Sequence, residues 1–284
     1  MKSGAGLLVA VVGVLAAQPV RSCGLDESTV FAVYSDTFGG VGNGSSAWEQ
    51  SFWSWWASAD DDIRYALLTK EDVAQLCDLS TFPNLRLYVQ PGGNAYEQET
   101  ALTSKGAANI NTFLNSRADA QYMGTCAGWY YSTSAFYWQG SFYTFPVEPS
   151  LLARFPATVE GSITDIANYD QSPPYAATSL SNNLTALYYG GPTRGWKDTP
   201  KTLPLGTHVL ATFSEVGDGD LPAAVTFQDM LLWSVHLEAM EVDPAGEVAP
   251  NVLTAEQVLA NYQFRANTIN SFLGTAFAVP TSLM

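Results

Sequence analysis

The sequence predicts an α/β protein in which a mainly parallel sheet is covered by helices on both faces, giving three layers. Short apolar runs alternate with segments that carry apolar residues at helical spacing, which is typical of parallel strands joined by crossover helices. The middle third departs from this pattern, because short strands joined by Pro- and Gly-rich turns predict an additional mixed or antiparallel portion. With 284 residues, 47% of them hydrophobic, the chain can bury a large core.

The N-terminal segment has the order of parts found in a secretory signal peptide. Lys2 precedes an apolar run, and small residues such as Ala17 follow before the chain becomes polar. The run is shorter than the roughly 20 residues that a spanning helix needs, so a membrane anchor is the weaker alternative. We expect residues 1–22 to be removed on export and residues 23–284 to form one secreted domain.

In the first half of the chain, predicted strands and helices alternate. A strand at residues 29–36 leads through a Gly- and Ser-rich loop to a helix whose aromatic residues recur at helical spacing. Two more strands and a helix follow, and the next strand turns sharply into a helix around Cys126. After the first strand, the predicted bounds are 47–59 and 104–118 for the helices, 63–69 and 84–93 for the strands, and 120–136 for the strand–turn–helix.

The second half begins with short strands and ends with the longest amphipathic pattern in the chain. A helix is predicted at residues 254–276, where Thr254 and Gln257 have the spacing of a capping box. No stretch between the predicted elements is long enough to serve as a linker between two domains. The short strands are predicted within residues 141–152, 184–192, 208–215 and 223–229, and an apolar segment follows at 230–241.

Charge and motif content exclude several classes of partner. The formal charge of −15 repels phosphate, so neither a nucleic acid nor an anionic membrane is expected to bind. Two histidines without a C-x-x-C or H-E-x-x-H motif give no spacing that would ligate a metal. The sequence also lacks a Gly-rich phosphate loop with a following lysine, so no cofactor is predicted. The oligomeric state is left open.

The run Gly124-Thr125-Cys126-Ala127-Gly128 is the main chemical signal. A parallel strand that turns sharply into a helix projects its pivot residue above the sheet, and glycines two positions away on either side remove side chains that would clash. The pivot also lies at a helix N-terminus, where partial positive charge favours a thiolate over a thiol. Cys126 is therefore a candidate nucleophile, and a purely structural cysteine is the alternative.

A nucleophilic cysteine needs a base, and His236 follows an apolar strand with Glu238 two residues later. If the chain turns after His236, Glu238 can hold the imidazole in the tautomer that faces Cys126. His208 begins another strand without a neighbouring carboxylate, so a surface or core role is expected there. Pro91-Gly92-Gly93 also follows a strand, and its amides together with that of Ala127 could receive a developing oxyanion. An ordinary turn is the alternative for this segment.

In combination these segments resemble the class I glutamine amidotransferase-like superfamily, and within it most closely the N-terminal domain of eukaryotic biotin-protein ligases and its free-standing relatives. The stretches that carry the likeness are YVQPGG, MGTCAGWYY, ALYYGGP and WSVHLEA. The resemblance implies a flavodoxin-like sandwich and a Cys126–His236–Glu238 triad. It also implies an oxyanion hole at Gly93 and Ala127, with Gly92 alongside. Tyr189, Gly190 and Gly191 would lie near the pocket.

The sequence departs from that pattern in two respects. Leu237 replaces the proline of the usual H-P-E, which weakens the transfer of amidotransferase activity. The chain also lacks the loop that binds biotinyl-adenylate in the ligases, so biotin ligation is not expected.

Cysteine usage and two sequons are consistent with an exported protein. In an oxidising compartment Cys23 and Cys77 could pair and leave Cys126 as the free thiol, although all three could equally be reduced and unrelated. Asn43 and Asn183 each begin an N-x-S/T sequon and are candidate glycosylation sites.

Two functions fit these observations, and whether the chain is an enzyme is left open. The first is a secreted cysteine hydrolase that acts on an amide or γ-glutamyl-type bond of a small-molecule or peptide substrate. The second is a non-catalytic ligand-binding domain that retains the same fold. In that case the aromatic segments at residues 51–62 and 134–145 could line a ligand groove, although aromatic residues more often belong to the core.

Overall fold

The computed structural model describes residues 23–144, 151–216 and 220–283. The expected signal peptide at residues 1–22 lies outside these ranges. A seven-stranded sheet forms the centre of the described part, and two smaller sheets of three and two strands accompany it. Among the described residues, no helix combines the length and apolarity needed to cross a membrane.

The central sheet is parallel except at one edge. Its order is β10-β11-β12-β4-β3-β1-β2. Every neighbouring pair from β12 to β2 is parallel, whereas the two pairs at the other edge, β10–β11 and β11–β12, are antiparallel. This is the mainly parallel sheet with an antiparallel portion that the sequence predicts. The strands are β1 (Phe31–Tyr34), β2 (Tyr65–Leu68), β3 (Leu87–Gln90), β4 (Gln121–Thr125), β10 (Thr207–Thr212), β11 (Pro222–Phe227) and β12 (Met230–Trp233).

The middle third forms the two small sheets. One has the order β6-β5-β7, in which β5 pairs antiparallel with β6 and parallel with β7. The other is the antiparallel hairpin of β8 and β9. The mixed character predicted for this region is confirmed. The strands are β5 (Ala135–Trp138), β6 (Ser141–Thr144), β7 (Val159–Gly161), β8 (Ala176–Ser179) and β9 (Thr185–Tyr188).

Helices cover both faces of the central sheet because its strands are apolar on both sides. Phe31 and Val33 of β1 pack into the same cluster as the helices α1 and α4, whereas Ala32 and Tyr34 point the other way, into the cluster that contains α2 and α3. The resulting three-layer α/β sandwich is the predicted fold. The helices are α1 (Asn43–Ala57), α2 (Ala95–Ser116), α3 (Ala127–Ser132) and α4 (Ala255–Leu273).

Two predicted helix starts are wrong, and one is confirmed. Helix α1 begins at Asn43 and not in the residues after the Gly- and Ser-rich loop, because Gly44 and Ser45 are buried and extend its first turn. Helix α2 begins at Ala95, since the Asn94 side chain caps its first turn, and the backbone breaks at Thr103. Thr254 and Gln257 form the expected capping box at the start of α4.

Candidate active site

The site forms where three adjacent strands of the central sheet end. Strands β3, β4 and β12 are neighbours and parallel, so their carboxyl ends lie at the same edge. Pro91-Gly92-Gly93 follows β3, Cys126 follows β4, and His236 lies shortly after β12. Residues that are far apart in the chain are therefore brought together by the topology.

Cys126 is the pivot between β4 and α3. Its φ of 51° and ψ of −104° lie in a region that non-glycine residues rarely occupy. Its backbone N–H donates to the carbonyl of Trp233 at 2.7 Å, which ties the pivot to the end of β12. The side chain is 5% exposed, and its sulfur lies 3.5 Å from the carbonyl oxygen of Tyr189.

The two glycines that flank this pivot are required by close backbone contacts. A Cβ on Gly128 would lie 2.0 Å from the carbonyl oxygen of Gln90 in β3, and a Cβ on Gly124 would lie 2.6 Å from the carbonyl oxygen of Gly128. Real side chains do not approach backbone atoms so closely. The G-x-C-x-G spacing therefore lets the short helix α3 turn back directly against β3 and β4.

His236 is held by its backbone, its ring nitrogen and its neighbours. Its N–H donates to the carbonyl of Leu187 at 2.8 Å, and Nδ1 lies 2.8 Å from Oε1 of Glu238. The imidazole packs edge-on against Trp48, with ring centroids 5.4 Å apart. With Nδ1 engaged by Glu238, Nε2 is the ring nitrogen left to interact with Cys126, which lines the same cavity.

Electrostatics favour the protonated imidazole. Burial lowers the pKa of His236, but the Glu238 carboxylate and the hydrogen bonds with Cys126 and Glu238 outweigh it and raise the pKa to about 10. For Glu238, burial has the opposite effect and raises the pKa of the carboxyl. The charges of Arg265 and then of His236 outweigh burial and bring this pKa below its usual value. The arrangement is therefore suited to a carboxylate–imidazolium pair next to the sulfur.

Glu238 is connected to a second, fully buried ion pair that the sequence analysis missed. Its Oε2 lies 3.6 Å from Nη1 of Arg265, and Nη2 of Arg265 lies 2.5 Å from Oε1 of Glu49. Trp53 Nε1 donates to the other oxygen of Glu49 at 2.8 Å. Arg265 and Glu49 lie within the buried stripes of α4 and α1, and a charged residue inside an apolar helical stripe is the signal that could have identified them.

The amides predicted to receive an oxyanion are close to the site but differ in exposure. Gly93 lines the cavity and has a φ of 137°, with the carbonyl oxygen of Gly40 and the N–H of Gly42 so close that any side chain would clash. Ala127 is the first residue of α3, so its N–H has no partner within that helix. Ala127 is buried and is not among the residues that line the cavity.

Two of the predicted glycines allow neighbouring groups of the site to pack closely. A Cβ on Gly92 would lie 2.4 Å from Cε1 of His236, so this glycine makes room for the imidazole. A Cβ on Gly191 would lie 1.8 Å from the carbonyl oxygen of Ser234, which lets the β9 loop approach the loop before His236. Tyr189 and Gly190, which directly precede Gly191 in the chain, line the cavity.

Cys126 and His236 open into a cavity of about 680 Å³. The segment at residues 134–145 supplies part of its wall, as expected of a ligand groove, whereas all four aromatic residues of the segment at 51–62 pack in the core. Tyr169 comes from a loop that carries no periodic pattern, so its position in the cavity could not be predicted from sequence. The aromatic residues of the lining are Trp48, Tyr96, Tyr130, Phe136, Trp138, Tyr143, Tyr169 and Tyr189.

The remaining candidate residues lie outside this cavity. A disulfide joins Cys23 to Cys77, which leaves Cys126 as the free cysteine of the described chain. Asn43 and Asn183 are both exposed, the first at the start of α1 and the second in the turn between β8 and β9. His208 is exposed on the edge strand β10. Among the described residues, no group of three or more His, Cys, Asp and Glu side chains is placed to hold a metal ion.

Comparison with solved structures identifies the fold. A crystal structure of a glutamine amidotransferase superposes with a TM-score of 0.53 at 17% identity, over 87% of this chain and 100% of that one. A glutamine amidotransferase from Thermotoga maritima gives a TM-score of 0.51 at 12% identity, over 88% of this chain and 100% of that one. At these identities the likeness shows a glutamine amidotransferase-like fold.

Comparison with sequence families gives a narrower assignment. The profile described as biotin-protein ligase, N terminal, matches residues 82–276, which include the ends of β3, β4 and β12 and the whole of α4. No curated protein matches the chain in sequence. The chain therefore belongs to the biotin-protein ligase N-terminal domain family and has the glutamine amidotransferase-like fold.

Proposed function

We propose that this protein is a secreted cysteine hydrolase that cleaves an amide or γ-glutamyl-type bond. The observation that carries the proposal is the position of Cys126, on a strained pivot at the edge of a cavity that it shares with His236. Glu238 contacts Nδ1 of that histidine. The site can therefore supply a nucleophile in Cys126, a base in His236 and, in Glu238, a carboxylate that orients the base.

In the proposed mechanism, the sulfur of Cys126, as a thiolate paired with the His236 imidazolium, attacks the carbonyl carbon of the substrate. A C–S bond forms, and the electron pair of the carbonyl moves to its oxygen, next to the amides of Gly93 and Ala127. When the intermediate collapses, the C–N bond breaks and the imidazolium transfers its proton to the leaving amine. A thioester remains on Cys126.

Hydrolysis of this thioester completes the proposed cycle. His236, now neutral, takes a proton from water while the water oxygen attacks the thioester carbonyl. The C–S bond then breaks, the acid leaves, and the thiolate–imidazolium pair is restored. Glu238 stays ionised throughout and keeps the ring in the tautomer that presents Nε2 to the sulfur.

Turnover of simple amides tests this function directly. We expect the purified protein to release p-nitroaniline from an acyl p-nitroanilide or from γ-glutamyl-p-nitroanilide, and Cys126→Ala to abolish the release with the thermal unfolding curve unchanged. His236→Ala should lower the rate by at least ~10²-fold, because it removes the general base and acid. His208→Ala is the matched control, because that histidine is exposed on an edge strand, and it should have no effect. Release that survives Cys126→Ala would refute the mechanism.

A ligand-binding domain without catalysis is the second candidate. The aromatic wall of the cavity and the 5% exposure of Cys126 favour it, because both suit the enclosure of a ligand. Under this alternative, small amides bind equally to the natural protein and to Cys126→Ala, and neither protein releases p-nitroaniline. Binding measured by calorimetry alongside the turnover assay therefore separates the two functions.

Export is part of the proposal, and the Cys23–Cys77 disulfide supports it, because such bonds persist in oxidising compartments. Expression of the whole sequence in a eukaryotic cell should place the protein in the medium, with an N-terminus near residue 23. Glycosidase treatment should increase its electrophoretic mobility, and Asn43→Gln with Asn183→Gln should remove that shift. Retention inside the cell with the N-terminal segment intact would contradict export.

A further inference from the structure

The charge of the cavity restricts the substrates that it can accept. Two carboxylates, Glu97 and Glu247, contribute to its lining, and no lysine or arginine does so among the described residues. Among the described residues, each carboxylate accepts one hydrogen bond: Asn94 Nδ2 donates to Glu97 at 3.1 Å, and the N–H of Gly44 donates to Glu247 at 3.2 Å. Neither forms an ion pair with a described side chain, so both negative charges remain available to a ligand.

The charges of both carboxylates are felt by Tyr169, an aromatic residue of the cavity lining. Tyr169 lies 5.0 Å from Trp138 and 5.7 Å from Tyr189, measured between ring centroids. Burial raises the pKa of Tyr169, and the charges of Cys126, Glu247 and Glu97 raise it further. Nucleophile, carboxylates and aromatic rings therefore surround one space.

An unpaired donor in the lining is an independent indication of a ligand. Trp48 lines the cavity and is 1% exposed, yet its indole Nε1 has no hydrogen-bond partner among the described residues. A buried polar group without a partner is costly, and an acceptor on a bound molecule would satisfy it. The same indole ring contacts His236, so that acceptor would lie next to the reacting groups.

We propose that the substrate carries a cation, an ammonium or guanidinium group, that binds between Glu247, Glu97 and the rings of Tyr169 and Trp138, while its amide carbonyl faces Cys126. A cation gains from both the carboxylates and the ring faces. A substrate carboxylate would find only the His236 imidazolium as a cation in the lining, and that group is already engaged by Glu238, so its entry into the acidic cavity is unfavourable. The inference rests on the proposed hydrolase function and narrows its substrates to amides that carry a cationic group. Amides whose acyl group ends in a carboxylate are expected to be poor substrates.

Three p-nitroanilides of matched length test the inference: ω-aminopentanoyl, pentanoyl and glutaryl, which end in a cation, a methyl group and a carboxylate. We expect kcat/KM to decrease in that order, by about tenfold or more between the first and the last. Glu247→Gln and Glu97→Gln should each reduce the preference. Glu27→Gln is the matched control and should leave it unchanged, because Glu27 is exposed and does not line the cavity. Equal or faster cleavage of the glutaryl compound would overturn the inference and leave the proposed hydrolysis standing.

A binding experiment separates failure of this inference from failure of the proposed function. In Cys126→Ala, saturation-transfer NMR should detect pentylamine but not pentanoate, and Glu247→Gln in that background should weaken the pentylamine signal. If no p-nitroanilide is cleaved but this selectivity is found, hydrolysis is refuted and the charge preference stands. If pentanoate binds as well as pentylamine, the charge preference is refuted whatever the turnover.

Discussion

At the scale of single residues, crowding and backbone conformation hold the reacting groups in place. Cys126 keeps an unfavourable φ of 51° because its N–H is bonded to Trp233 and the glycines around it pack against neighbouring backbone. His236 is fixed on one side by Glu238 and on the other by the Cα of Gly92. Small changes at these positions should therefore have large effects on reactivity and small effects on the fold.

Gly92→Ala is expected to impair the site by displacing the imidazole, since the new Cβ would lie 2.4 Å from Cε1 of His236. A displacement of about 1 Å should lower turnover by about 10²-fold, because the ring no longer aligns with the sulfur. Gly24→Ala is the control, because its Cβ would have ordinary contacts, none closer than 3.4 Å. Turnover assays and thermal unfolding check both variants. Full activity in Gly92→Ala would show that the ring position is unimportant.

The raised pKa of His236 predicts how stability varies with pH. The folded-state pKa of about 10 lies above the ordinary value of 6.5, so protonation stabilises the fold fully below about pH 6.5 and this contribution is lost as the pH rises through about 10. The free energy of unfolding, measured by urea denaturation, should fall more between pH 6.5 and 9.5 in the natural protein than in His236→Gln. His208→Gln should behave like the natural protein. Identical pH dependence with and without His236 would contradict the assignment.

At the scale of elements, helices α1 and α4 supply the charges behind the triad. Glu49 on α1 and Arg265 on α4 are separated by 216 residues and meet beneath Glu238, where the Arg265 guanidinium also lies 4.4 Å from the centre of the Phe52 ring. This buried pair links the packing of two helices to the charge of the carboxylate that holds His236. We therefore expect Arg265 to have a positioning role that acts through Glu238.

Arg265→Met should leave the carboxylates of Glu49 and Glu238 buried without their cation and destabilise the fold by about 3–5 kcal/mol. Glu49→Gln with Arg265→Met should cost less than the sum of the single changes, because the two groups compensate each other. The pH profile of turnover should also shift in Arg265→Met, which a purely structural role would not produce. Arg64→Met is the exposed control. If urea denaturation shows that the effects of Glu49→Gln and Arg265→Met on the free energy of unfolding add, and the pH profile of turnover is unchanged in Arg265→Met, then Arg265 is coupled neither to Glu49 nor to the triad.

Local signals explain which elements and site residues could be predicted from the sequence. The capping box of α4 and the G-x-C-x-G turn are short-range patterns, and both are found where predicted. The first turns of α2 are polar, and a break at Thr103 separates them from the apolar second half, so only that half carried a helical pattern. The pairing of Glu49 with Arg265 depends on the packing of α1 against α4 on one face of the sheet, so the sequence can mark each residue as a charge in an apolar stripe but cannot show that the two meet.

At the scale of the whole molecule, the sheet order gathers the site and a covalent bond secures the N-terminal part of the domain. The loops after β3, β4 and β12 meet only because these strands are neighbours in the sheet, although β12 lies more than a hundred residues beyond β4 in the chain. The Cys23–Cys77 disulfide closes a span of 54 residues that includes α1 and two strands of the sheet. Stability and site geometry therefore depend on contacts that are distant in sequence.

Loss of the disulfide should destabilise the molecule without removing the nucleophile. Cys23→Ser with Cys77→Ser should lower the free energy of unfolding by about 2–5 kcal/mol, since the unfolded chain gains the freedom of an open loop. A reductant should destabilise the natural protein and Cys126→Ala alike, and should not affect the double variant. Urea denaturation with and without dithiothreitol measures this. Equal stability of all forms would mean that the bond contributes nothing.

If His236 activates Cys126, the rate at which iodoacetamide alkylates Cys126 near pH 7 should depend on that histidine. Mass spectrometry of the peptide containing residue 126 gives that rate in the natural protein, in His236→Ala and in the control His208→Ala. We expect rapid alkylation in the natural protein and the control, and a rate lower by about tenfold or more in His236→Ala. A cysteine that is inert in all three proteins, or equally reactive in all three, would show that His236 does not activate Cys126.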